Sequence, residues 1–118
     1  MTFTVELGWP AKELSPNARA HFMTVSKAKK IAKNEAYWAT KAALPPHYSH
    51  DGSRIPVLVT VYPSVRRDRD GDNFNARLKA AFDGIAAAMG VNDKLFDVAA
   101  PIFAEPVKHG RVVVSIGG

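Results

Sequence analysis

The chain has 118 residues, 47% apolar and 23% charged, a length and composition that suit one domain spanning 1–118 with a single core. No run approaches the ~20 apolar residues a membrane span needs, and the N-terminus lacks a basic flank followed by an apolar core, so neither membrane insertion nor a signal peptide is expected, and a cytoplasmic location is. Zero cysteine excludes a disulfide framework, thiolate zinc and a cysteine nucleophile, while sixteen Lys and Arg against eleven Asp and Glu give a net charge of +5 that favours a polyanionic partner.

Residues 2–7 alternate Phe3, Val5 and Leu7 with Thr4 and Glu6, the period-two pattern of a half-buried strand. Glycine and prolines between Gly8 and Asn17 predict a loop, and a helix is expected to start near Asn17 or Ala18. From Phe22 through Val25, Ala28, Ala32, Ala36, Ala39 to Ala43 an apolar position recurs every three or four residues, with Lys27, Lys30 and Lys41 on the other side. Those lysines form either a solvated face or a set of phosphate contacts. Leu44-Pro45-Pro46 ends the helix, and Asp51-Gly52 marks a turn in the loop that follows.

Ile55 to Tyr62 is β-branched and bounded by prolines, a strand buried on at least one face. A polar run from Ser64 to Asp72 precedes a second helical stripe, Phe74, Leu78, Ala81, Phe82, Ile85 and Met89, with Gly90 in the C-cap position. Residues 98–105 and 111–116 read as two strands around His109-Gly110, an antiparallel hairpin. The order β-α-β-α-β-β predicts an α/β or α+β fold: a small mixed sheet of about four strands with two main helices.

Six of the eleven acids (Asp68, Asp70, Asp72, Asp83, Asp93, Asp97) lie within one 30-residue stretch of a basic chain. The segment Arg66-Arg67-Asp68-Arg69-Asp70-Gly71-Asp72-Asn73 joins a strand to a helix, a junction where side chains converge without disturbing a core. In extended backbone Asp68, Asp70 and Asp72 share one side and Arg67 and Arg69 the other. Carboxylates so close repel unless a cation joins them, and hard divalent ions take a few carboxylates plus water and phosphate oxygens. The same residues also have structural roles: Asp72 stands where an N-cap belongs, Asp68 beside arginines it can pair with, and Asp93 in the polar link after the second helix where turns form. Lys79 lies seven residues past Asp72, two turns on and near the same face, and Lys79 with Asp83 makes an i,i+4 pair.

An EF-hand is excluded, because its glycine position is Asn73 and its bidentate glutamate position is Lys79. No Walker motif, dinucleotide fingerprint or HExxH occurs, so no nucleotide cofactor is expected; His47 and His50 lie in a loop without partners at metal-ligand spacing.

Taken together, the residues resemble the RusA family of Holliday junction resolvases, as found in phages and prophages. The resemblance is carried by Leu7-Gly8-Trp9-Pro10 with Leu14-Ser15-Pro16-Asn17-Ala18-Arg19, by Arg67-Asp68-Arg69-Asp70-Gly71-Asp72-Asn73, by Lys79-Ala80-Ala81-Phe82-Asp83-Gly84 with Gly90-Val91-Asn92-Asp93, and by Gly110-Arg111-Val112-Val113-Val114. It implies a homodimeric, Mg²⁺-dependent endonuclease, with Mn²⁺ as a substitute ion, that nicks branched, four-way DNA junctions in symmetric pairs. The implied metal ligands fall on Asp70, Asp72 and Asp93. The implied basic catalytic residue falls on Lys79 through the Lys-Ala-Ala-Phe-Asp block, or on Arg77; four residues after Asp72 the chain has Ala76. Arg66, Arg67, Arg69, Asn73 and Arg77 are the expected DNA contacts. A DNA-binding protein without catalysis, and a nuclease of this fold acting on flaps or other branched DNA, are the alternatives.

Overall fold

The computed structural model describes residues 2–15, 19, 21–65 and 71–117, residues 71–73 by their backbone alone. Alternation in the sequence builds the strands β1 (Phe3–Leu7), β2 (Ile55–Tyr62) and β5 (Arg111–Ile116), whose inward positions Val5, Val57, Val59, Val61, Val112 and Val114 are buried. β5 lies between the other two and is antiparallel to both, with Val114 opposite Val5 on one side and Val59 on the other. β3 (Phe96–Val98) and β4 (Ile102–Phe103) both run parallel to β2 along its remaining edge. The sheet is therefore mixed and has five strands.

The expected hairpin does not form. In place of one strand over 98–105 there are two short ones, the first ending at Val98 and the second covering Ile102–Phe103, and Pro101, which has no N–H to give, falls between them. Both are parallel to β2, since the chain returns to that edge through a helical crossover. Ala104 N–H donates to Val61 C=O at 2.7 Å and Val107 N–H to Pro63 C=O at 2.8 Å, which carries the chain past the end of β2. A turn closed by Gly110 N–H to Val107 C=O (3.0 Å) then sends β5 to the opposite edge.

α1 (Phe22–Ala43) begins four residues after Ala18, with His21 as N-cap: its Nδ1 accepts from Met23 N–H at 3.2 Å. Residues 17–18, where the start was expected, lie outside the described residues. Phe22 heads the apolar spacing but is exposed; the packed part of the stripe is its C-terminal half, where Ala36 and Thr40 are fully buried. Leu44, extended because it precedes a proline, ends the helix. In the following loop Gly52 sits at φ 89°, and Ser53 donates to Asp51 through its N–H (2.9 Å). Hydrogen bonding from Ser53 holds the Asp51 carboxyl below its ordinary range.

The second helical stripe forms as two helices, α2 (Gly71–Arg77) and α3 (Lys79–Met89), because Leu78 leaves the helical region at φ −99° and ψ 4°. Gly90, at φ 73°, caps α3. α1 and α3 pack together on one face of the sheet over a core that takes in Leu7, Ile55, Phe74, Leu78, Ile85 and Ile116. The shortest dimension, 22 Å, is one sheet and one helix layer thick, so among the described residues the sheet's other face carries no helix. Among the described residues no helix is long and apolar enough to cross a membrane.

Candidate functional site

After α3, the chain reverses at Gly90 and enters a 3₁₀ turn, Asp93–Leu95, whose N-cap is Asn92: its Oδ1 accepts from Lys94 N–H at 2.9 Å. This reversal brings Asp93 back against the first residue of α3. Lys79 Nζ lies 3.5 Å from Asp93 Oδ2 and 3.6 Å from Asp83 Oδ1, so one ammonium group is shared by two carboxylates from different segments. Asp83 and Asp93 are 40% and 38% exposed and Lys79 73% exposed, so each carboxylate keeps a solvent-facing side. An exposed ion pair contributes roughly 0–1 kcal/mol, so stability alone gives this arrangement little reason.

Arg77 takes a different position from Lys79. Its guanidinium stacks over Trp9 (5.9 Å) and Phe74 (5.6 Å), and Nη2 donates to Pro10 C=O at 2.9 Å. Trp9 meets Phe74 edge-on at 5.3 Å, and Gly8 N–H donates to Glu35 Oε1 at 3.1 Å. Arg77 thus ties the Gly-Trp-Pro loop to α2, while Lys79 stands beside Asp83 and Asp93.

Of the other expected site residues, Arg66, Arg67, Asp68, Arg69 and Asp70 lie outside the described residues. Asp72 and Asn73 are placed by backbone in the first turn of α2, one and two residues inside the helix, so Asp72 is not at the cap. The break at Leu78 also removes the straight-helix relation expected between Asp72 and Lys79. His50 Nε2 donates to Ser53 C=O at 2.7 Å, a loop-closing role. The partner of Asp93 escaped the sequence reading. Lys79 and Asp93 are both conspicuous there, yet no local periodicity pairs residues on either side of a cap and a chain reversal.

The donor chemistry, carboxylate oxygens beside a lysine, suits a hard divalent cation more than a soft one. Among the described residues no three Asp, Glu or His side chains converge as a metal-binding group. Asp93 is the one expected ligand whose side chain is described, and Asp83 accompanies it.

An uncharacterized protein of Xylella fastidiosa (strain Temecula1 / ATCC 700964) is 39% identical over 117 residues, covering 98% of this chain and 76% of the relative. The chain belongs to the same family as that protein. No family model matches the sequence.

Proposed function

We propose that this chain is a RusA-like, Mg²⁺-dependent endodeoxyribonuclease that resolves four-way DNA junctions by paired nicks as a cytoplasmic homodimer. The observation that carries the reading is the return of Asp93 onto Lys79 at 3.5 Å, which joins the Gly-Val-Asn-Asp segment to the helix that follows the Asp-Gly-Asp segment. The order and spacing of four sequence segments support it, as does the excess positive charge of +5.

Asp70, Asp72 and Asp93 would hold Mg²⁺, which when bound supplies an activated water and a counter-charge for the phosphate. The chain's own residues provide the rest. Lys79, free to swing from Asp93 or Asp83 because it is exposed, offers an ammonium group to the charge that develops on the attacked phosphate. Arg77 orients α2 through Pro10 and Trp9, and the arginines 66, 67 and 69, which precede α2 in the sequence, would contact the DNA backbone. A four-way junction with approximate two-fold symmetry needs two equivalent cuts, which an isologous dimer presents.

The test is cleavage of a four-way junction, a linear duplex and a flap, with Mg²⁺ or EDTA, by the wild type and by Asp70→Asn and Asp93→Asn. The junction is expected to be cut with Mg²⁺ alone, and each substitution to lower the rate by at least ~10–100-fold, the loss seen for altering even an outer-shell partner of a metal. Cutting in EDTA, or undiminished cutting by both variants, rejects the catalytic assignment; equal cutting of linear duplex rejects resolvase and leaves nuclease.

One observation favours a second reading, a DNA-binding protein without catalysis: Lys79 pairs with both Asp83 and Asp93 and offsets one of their two negative charges. Calorimetry separates the two. Mg²⁺ binding that Asp93→Asn weakens supports the enzyme, and its absence at millimolar Mg²⁺ supports the binding protein.

A further inference from the structure

Between α1 and the α2–α3 pair runs a groove of about 540 Å³, lined on one wall by Lys29, Lys30 and Lys33 and on the other by Ala76, Lys79 and Ala80. Its acidic members are Glu13 and Asp83, and Asp83 already shares the Lys79 ammonium group. The three α1 lysines are exposed, and no ion pair to a carboxylate involves any of them among the described residues.

Lys29 and Lys33 are one turn apart, about 6 Å along the helix axis, and like charges at that spacing destabilise an isolated helix. A merely solvated set would gain by spreading around the exposed surface. Here the lysines instead crowd one concave wall opposite alanines, whose small side chains leave the ammonium groups accessible from the groove. Lys79, which lines the groove, has its Nζ 3.5 Å from Asp93 Oδ2.

From this geometry we infer that the α1–α3 groove seats a run of DNA phosphodiester strand flanking the acidic centre. Lys29, Lys30 and Lys33 hold phosphates that are not cut, and Lys79 marks where the strand reaches the carboxylates. The destination of the strand rests on the nuclease reading; the groove's selection of a polyanion does not.

The experiment measures binding of a labelled four-way junction in EDTA by fluorescence anisotropy across 50–300 mM KCl. It compares the wild type, Lys29→Gln with Lys33→Gln, and a control of equal charge change, Lys41→Gln with Lys108→Gln, two lysines outside the groove. Loss of two phosphate contacts reduces the slope of log affinity against log salt by about 1.8 on duplex, or about 1.4 on single strands. The groove pair is expected to show that reduction, Lys29→Arg with Lys33→Arg to restore the slope, and the control pair to leave it within about 0.5. Equal slope changes for groove and control pairs, or a drop that the arginine pair fails to restore, overturn the groove. An unchanged groove-pair slope in a protein that cuts junctions overturns the groove and leaves the nuclease standing. A reduced slope in a protein that never cuts DNA does the reverse. Binding to phosphatidylserine vesicles without binding to DNA overturns both.

Discussion

His109 holds its backbone at φ 68°, in the left-handed region where a side chain clashes with its own backbone and glycine does not. The turn demands it, because Gly110 N–H must reach Val107 C=O at 3.0 Å to reverse the chain into β5. Replacement by glycine relieves that strain and costs some unfolded-state entropy, so His109→Gly is expected to stabilise the protein by about 0.5–1 kcal/mol, seen as a higher urea midpoint at unchanged slope. The neighbouring glycine tolerates no such exchange, since a Cβ on Gly110, itself at φ 72°, would lie 2.6 Å from the Trp9 ring. One residue of this turn is thus strained by the turn itself, and its neighbour has no alternative because the Trp9 ring lies against it.

Among the described residues, the contact of α1 with α3 is the most extensive pairing of helices. It depends on Gly84: a Cβ there would overlap the Lys33 carbonyl oxygen and stand 3.0 Å from its carbon and 3.1 Å from Tyr37 N. Those atoms are backbone and cannot rotate away, so Gly84→Ala must push the helices apart. Alanine's better helix propensity, about 1 kcal/mol, opposes this, and overpacking of about 1–3 kcal/mol or more exceeds it. The variant is expected to melt several degrees lower by circular dichroism; a rise in melting temperature would show that α1 shifts without cost. The same contact sets the width of the groove above it, because Lys33 contributes its carbonyl to the packing and its side chain to the groove wall.

For the whole molecule, the two-layer build leaves one sheet face without a helix among the described residues, and on it Arg111 stacks over Tyr62 at 4.7 Å and reaches Glu6 at 3.3 Å. A net charge of +5 makes association with a polyanion fast and salt-sensitive, whichever surface receives it. The proposed paired nicks would require two sites held in fixed relation, so on that proposal light scattering at tens of micromolar is expected to give twice the chain mass of 12.8 kDa. A mass of 12.8 kDa under those conditions would leave each molecule with one site and remove the basis for symmetric resolution.

Sequence alone determined the strands at 55–62 and 111–116, the two apolar helix stripes and the cap at Gly90, because alternation and helical periodicity record which face each segment buries. It also marked Lys79, Asp83 and Asp93 one by one, as polar residues set apart from those stripes. Tertiary structure alone decided that β3 and β4 join β2 in parallel while β5 crosses to its other edge, for strand partners are chosen by where crossovers deliver the chain and leave no local pattern. It likewise decided that Asp93 meets Lys79 and that Lys29, Lys30 and Lys33 face Ala76 and Ala80 across a groove. Those encounters depend on a helix break at Leu78, a reversal at Gly90 and the approach permitted at Gly84, and side-chain distances between separate segments arise only when all three act together.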